Sequence, residues 1–497
     1  MQEGGAVQIS ADPFAIGAFF LYLGVIITIG ILSARFSSTG VSEFFVGGRK
    51  MHRFVVALSA VVSGRSAWLL LGVTGMAYTM GANAVWAVTG YITAEVFLFI
   101  YYARRLRHFA EAHDCVTVPD FYAARFGDRD GLLRSILIVV ILIFMVGYVS
   151  SQFVGGGKAF AGSFGISPGL GVLFTALIVV AYTTLGGFLA VSLSDTLQAC
   201  IMILALVMVP VIAIADGGGL GAIIAELRTI DPTLIDPVAL TAGALIGFLG
   251  IGLGSPGNPH IIVRYMSIQD PDQLRTSAIV GTVWNVVMAW GALFIGLAGR
   301  VYFPDVTLLP DGDTEQLYPV LAAQHLHPIL FGVVVASIFA AIISTADSQL
   351  LVAASSVVRD FYEKILHRDE VIAQKRLVLY SRIVVVLLVT AALIFGLLAQ
   401  QLVFWLVLFA WAGLGASFGP TSILALYWRG TTRTGVIAGL ATGTIITIVW
   451  ELTPRLNALM YELVPAFAGG LLVTVIVSWM TRPPDDVEAM FASMKGD

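Results

Sequence analysis

Ser344, Thr345, Asp347 and Gln349 lie close together in a strongly apolar stretch, IFAAIISTADSQLLVAASSVVRDFY, and this is where the chain is best equipped for chemistry. Two adjacent hydroxyls, with the carbonyl of Ala341 three to four residues earlier on the same helical side, offer neutral oxygens. Such oxygens replace part of the hydration shell of a hard cation such as sodium, much as carbonyls do in channel filters. Serine and threonine in apolar helices also bond their own backbone or pack between helices, so the pair alone does not define a site. Asp347 is an ionisable group where such groups need a partner. It either supports a cation site by hydrogen bonding or seals one half of its helix. Asp195, in GGFLAVSLSDTLQA, poses a similar alternative: a guard of an inner ion exit, or a helix start after Ser192 and Ser194.

Two other stretches resist continuous helix. ALSAVVSGRSAWLLLG packs Ser63, Gly64 and Ser66 around Arg65. In GFLGIGLGSPGNPHIIVRYM, Pro256 and Pro259 remove donors while Gly250, Gly252, Gly254 and Gly257 let the backbone depart. A helix that opens inside a bilayer must have its freed carbonyls satisfied by protein, water or an ion. Breaks at equivalent places in two repeats mark a substrate and cation site near mid-membrane, although either alone reads equally as a kink. Arg65 has three readings: pairing with a substrate carboxylate, neutralising an internal acid such as Asp347 or Asp195, or acting as a fixed cation that lessens the need for sodium. Its permanent charge makes it a poor proton carrier, so proton coupling would fall to Asp195 or Asp347. Glu95 lies within an apolar run and needs a Ser, Thr or Arg partner. Tyr148, Ser151 and Gln152 in YVSSQFVGGG either face the same region or serve close helix packing. No enzyme constellation emerges, since Ser63, His260 and Asp347 fall in separate helices without a nucleophile elbow.

The elements that must position these groups follow from composition. Only 12% of residues are charged, 58% are apolar, and the mean hydropathy is +0.91, which defines an all-α integral membrane protein. The apolar runs match helices crossing a hydrocarbon layer of about 30 Å. The first, from Pro13 to Leu32, follows an acidic and polar stretch and reads as a span, not a signal peptide. Thirteen spans are predicted: 11–34, 52–79, 83–103, 133–157, 168–190, 194–215, 240–263, 276–300, 326–357, 377–397, 400–427, 433–452 and 459–480. With that count, 22 of the 27 Lys and Arg residues fall on one side, Arg264 among them, placing the N-terminus outside and the C-terminus in the cytoplasm of an inner-membrane protein. The outer loops 216–237 and 302–324 are rich in Gly, Pro and Asp and are expected to cover the external entrance. Cys115 and Cys200 give no disulfide framework. No GxxxxGK[ST] loop is present, so an ion or substrate gradient must supply the energy.

The strings SAWLLLG, GGFLAVSLSDTLQ, PHIIVRYM and STADSQLL resemble the sodium:solute symporter family, especially its bacterial sodium/proline branch, and the likeness extends over nearly the whole chain. The resemblance implies a core of two inverted five-helix repeats, 52–215 and 240–427, with 11–34 and 433–480 peripheral, and transport by alternating access. It also implies a sodium ion held by the carbonyls of Val62, Arg65 and Ala341 and the hydroxyls of Ser344 and Thr345. Ser66, Ala67 and Trp68 would lie beside the substrate, and Ile251, Ser255, Pro256 and Asn258 would be pocket or gate positions. The chain departs from the proline carriers, which usually have an acid at the position of Gly64, an apolar residue at Arg65, and aromatics at Ile251 and Ser255. The expected activity is sodium-coupled uptake of a small zwitterionic or anionic solute such as proline, another amino acid or a related carboxylate. A proton-coupled or sodium-independent carrier, and a sensor or channel on the same scaffold, are the alternatives. Solute and lipid are the expected partners, with no nucleic acid and with a homo-oligomer left open.

Overall fold

The computed structural model describes residues 12–37, 39–368, 370–398 and 402–495. Runs of Leu, Ile, Val, Ala and Phe without water to bond the backbone favour helices, which satisfy their own amides and carbonyls. α1 (Pro13–Ser37) opens on a proline, whose missing N–H costs nothing at that position. After α2 (Val41–Val46) come α3 (Arg53–Ser63) and α4 (Thr74–Met80), which form one interrupted helix. α5 (Val85–Phe97) and α6 (Ala103–Ala112) run on through a widened turn at 98–102. α7 (Val118–Phe126), α8 (Leu132–Phe164), α9 (Pro168–Asp216) and α10 (Leu220–Ile230) complete the first half.

A second interrupted helix consists of α11 (Ala242–Gly250), a tight turn at Ile251–Gly257 and α12 (Pro259–Ser267). α13 (Leu274–Tyr302) and α14 (Leu317–His325) lead into α15 (Pro328–Ser355), which continues as a wider coil to Leu366. The chain ends with α16 (Gln374–Leu398), α17 (Val403–Tyr427), α18 (Arg433–Glu451), α19 (Pro454–Asn457), α20 (Leu463–Trp479) and α21 (Val487–Ser493). Among the described residues, nine helical segments are long and apolar enough to cross a membrane. Three shorter apolar helices accompany them, two of which belong to the interrupted pairs. The protein is thus a multi-pass membrane protein. In their most apolar windows α15 and α17 are 83% buried, against 33% for α1, α16 and α18, so the former pair positions the interior and the latter three face lipid.

α9 is 49 residues long, so a straight helix would reach about 74 Å, more than twice the hydrocarbon thickness. It reverses at Gly187, where φ is 58° and ψ is −164°, and the Tyr182 and Ser194 hydroxyls meet across the turn. The sequence places a short link between spans at 190–194; the structure makes it at Gly187 itself, with no intervening loop. That backbone region is essentially reserved for glycine. An added Cβ would also stand 2.9 Å from Cβ of Ser37. Gly187→Ala is therefore expected to lower the thermal midpoint in detergent, at a cost of about 1–3 kcal/mol. An unchanged midpoint would contradict this reading of the turn.

Ion pairs fasten both ends of the bundle. At the Arg-rich end, Arg134 lies 2.8 Å from Asp120 and also pairs with Asp360, which accepts from the Thr117 hydroxyl at 2.9 Å. Burial pushes the Asp120 carboxyl up, but Arg134 and Arg359 outweigh it and hold the group below its ordinary range. At the opposite end Lys158 pairs with Asp313 at 2.7 Å and Glu315 at 2.6 Å. The Glu315 carboxylate also accepts from the amides of Val403 and Phe404, placing negative charge at the start of α17. The loop before α14 is thereby pinned across the interrupted helix, with Thr314 packed against Gly75.

Candidate functional site

The first break starts where α3 tightens: the amide of Arg65 donates to the carbonyl of Val62 at 3.0 Å. Ser66 then takes a positive φ of 49°, rare for a residue with a side chain, and its hydroxyl accepts from the amide of Trp68 at 3.1 Å. Gln152 of α8 accepts from the amide of Ala67 at 3.0 Å. The break is thus propped by side chains on both sides. Facing it from α15, the Ser344 hydroxyl donates to the carbonyl of Ala341 at 3.1 Å and lies 3.4 Å from that of Val62. The Thr345 hydroxyl donates to the carbonyl of Ser63 at 3.0 Å. All of these residues are buried. The two hydroxyls face the opened backbone, while the Arg65 carbonyl accepts from Leu69 and begins the next turn.

The second break also has its freed carbonyls satisfied. Trp411 donates to the Ile251 carbonyl at 2.8 Å, Ser422 to that of Pro256 at 3.0 Å, and Nδ2 of the Asn258 side chain to that of Gly254 at 2.8 Å. Trp68 Nε1, Ser255 Oγ and Asn258 Oδ1 are buried without a partner in the protein. Such groups cost about 1–3 kcal/mol each and call for a ligand or ordered water. An aromatic row of Phe404, Trp68, Tyr91 and Trp411, with centroids 6.0, 6.3 and 5.2 Å apart, connects the two breaks. Tyr148 packs edge-on against His260 at 5.9 Å. Ser151 instead donates to the Tyr148 carbonyl of its own helix at 2.6 Å.

Arg65 neutralises an internal acid, but that acid is Glu95 and not Asp347 or Asp195. Its guanidinium meets the Glu95 carboxylate at 3.0 Å and Asn285 Oδ1 at 2.6 Å, and lies over the Tyr91 ring at 3.6 Å. Tyr91 explains Gly64 as well, because a Cβ there would stand 2.1 Å from the tyrosine hydroxyl. Asp195 and Asp347 belong to a different cluster around Arg264. Arg264 lies 3.4 Å from Asp195, donates to the Ser59 hydroxyl at 3.1 Å, and contacts the Ser348 hydroxyl and the His260 carbonyl. Asp195 accepts from Ser59 at 2.6 Å and Ser63 at 3.2 Å, and Asp347 from Ser348 at 3.3 Å. Asp195 therefore does not start a helix; it lies within the second arm of α9. Arg264, assigned from sequence to the basic inner side, is 1% exposed, and Asn285 escaped notice altogether. Each carried a signal in being a lone polar residue within an apolar run.

Two opened helices facing a buried polar centre in a membrane bundle are the arrangement in which carriers hold solute and cation. Residues 44–443 match the sodium:solute symporter family, and the chain belongs to it. Sodium/proline symporter 2 of Staphylococcus saprophyticus is 36% identical over 474 residues, covering 93% of this chain and 92% of the relative. The sodium/proline symporter of Staphylococcus aureus is 35% identical over 473 residues with the same coverage. Among solved structures, a Na+-coupled sialic acid symporter in its substrate-bound outward-open state superposes with a TM-score of 0.79 at 18% identity, covering 95% of this chain and 99% of that one. Mhp1, a nucleobase-cation-symport-1 family transporter in a closed conformation, gives 0.56 at 15% identity, covering 92% and 99%. The protein is a sodium-coupled secondary transporter of a small organic solute.

Proposed function

We propose that the chain accumulates a small zwitterion or organic anion, of the amino-acid or carboxylate class that includes proline, by letting sodium in with it. The observation that carries this reading is the approach of the Ser344 and Thr345 hydroxyls to the carbonyls of Val62 and Ser63 at the first break. Sodium, here a co-substrate, would be held by those hydroxyls with the carbonyls of Val62, Arg65 and Ala341. Its binding steadies the opened segment and raises affinity for solute next to it, and the reverse coupling follows by linkage. Each sodium entering gains about 2.3 kcal/mol per 100 mV of membrane potential.

Solute would bind between the breaks, beside Ser66, Ala67, Trp68, Tyr148, Ile251, Ser255, Pro256 and Asn258. The unpartnered groups suit a zwitterion: Trp68 Nε1 and the Ser255 hydroxyl donate toward a carboxylate, and Asn258 Oδ1 accepts from an ammonium. Arg65 closes the same wall with its charge already matched by Glu95. Asp195 and Asp347 would act in gating or coupling, with Arg264 as their shared cation. The chain would cross the inner membrane thirteen times, with the N-terminus outside and the C-terminus cytoplasmic. Two inverted repeats, 52–215 and 240–427, would rock about the site, with 11–34 and 433–480 at the periphery. The reversal at Gly187 supports that count, because it divides α9 into two membrane-length arms.

The purified protein in liposomes, offered labelled amino acids and carboxylates, tests this. Saturable uptake of at least one of them, driven by an inward sodium gradient and absent when choline replaces sodium, is expected. Equal uptake under a proton gradient alone would overturn sodium coupling.

A further inference from the structure

Arg65 belongs to the break whose carbonyls face Ser344 and Thr345, and its side chain carries a positive charge from there to α5 and α13. A second cation brought into the same poorly polarisable interior is repelled by that charge. The structure cancels that charge locally. Glu95 of α5 meets the guanidinium at 3.0 Å, Asn285 of α13 accepts from its Nε at 2.6 Å, and the Tyr91 ring lies beneath it at 3.6 Å. Arg65 and Glu95 are 3% and 2% exposed, so water screens neither. Among the described residues neither has a second ion-pair partner, and Glu95 Oε1 has no hydrogen-bond partner. The cluster is thus one cation balanced by one anion.

We propose that Glu95 sets the affinity for sodium without touching it, as the counter-charge that lets an arginine share a helix break with a transported cation. Asn285 and Tyr91 orient the guanidinium so that the cancellation is fixed, and Glu95 is a positioning residue in this sense. The inference rests on the sodium site proposed above. It also assigns the charges a sign: losing the anion leaves a net positive break that rejects sodium, and losing the cation leaves a net negative break that attracts it.

Binding of radiolabelled sodium alone to the purified full-length protein reads this directly. Glu95→Gln is expected to weaken binding about tenfold or more, and Arg65→Gln to strengthen it. The double variant Arg65→Gln/Glu95→Gln is expected within about threefold of wild type, since neutrality returns. A purely structural role would make the double variant at least as poor as Glu95→Gln, and that result overturns the proposal, as does wild-type binding by Glu95→Gln. Should Glu95→Gln fail to fold, the comparison passes to the other two: Arg65→Gln binding sodium no tighter than the double variant overturns it. A Ser344→Ala/Thr345→Ala protein separates the premises. If it binds sodium like wild type, the site itself is wrong; if it loses sodium while Glu95→Gln does not, only the charge-balance role fails.

Discussion

Replacing Ser344 and Thr345 together with alanine is expected to raise the sodium concentration for half-maximal uptake by about a hundredfold or more. In the proposed site each hydroxyl would contribute an oxygen to a buried ion, and contacts between a polar group and a charge are worth about 1.5–3 kcal/mol each. The same substitution removes the donors that reach Val62, Ala341 and Ser63 in the structure. The Val62 carbonyl keeps its bond from the Arg65 amide, so the loss of fold stability stays smaller than the loss of sodium affinity. Uptake measured across a sodium series, with membrane abundance as control, checks this. An unchanged sodium requirement would contradict the site.

Arg264→Ala is expected to act on stability with comparable force. Asp195 is fully buried, and Arg264 is the cation that faces it. Removing one partner of a buried ion pair costs about 3–5 kcal/mol because the other charge is left uncompensated. That is a large part of the roughly 5–15 kcal/mol that holds a typical domain folded. A marked fall in thermal midpoint and in membrane abundance follows, partly recovered by Arg264→Ala/Asp195→Ala. Arg264→Lys keeps charge but loses the fork that spans Ser59, Asp195 and Ser348, so it should recover only part of the loss. Equal midpoints for the single and double variants would show that the two residues do not act as a pair.

The sequence disclosed what has a local signature. The membrane class, both interruptions and the hydroxyl pair are visible because apolar runs, glycine–proline clusters and adjacent hydroxyls are short-range patterns. The wiring between helices is not of that kind. Arg65 finds its partners 30 residues away at Glu95 and 220 away at Asn285, and no spacing rule selects these over Asp195 or Asp347. A count of basic residues ignores depth and so places Arg264 on the cytoplasmic side; only packing shows it turned inward against α3, α9 and α15. The Gly187 reversal was invisible for the opposite reason, since one glycine among helix formers does the work expected of a loop.

In the proposed mechanism the opened segment Val62–Ser66 and the hydroxyls of Ser344 and Thr345 together hold the transported sodium. A high-resolution density map of the protein in sodium, compared with one in choline, tests it most directly. An ion-sized density, present only in sodium, is expected between the Val62 and Ala341 carbonyls and the two hydroxyls. A continuous helix through Val62–Ser66, with Ser344 and Thr345 turned toward lipid and no such density, would contradict it.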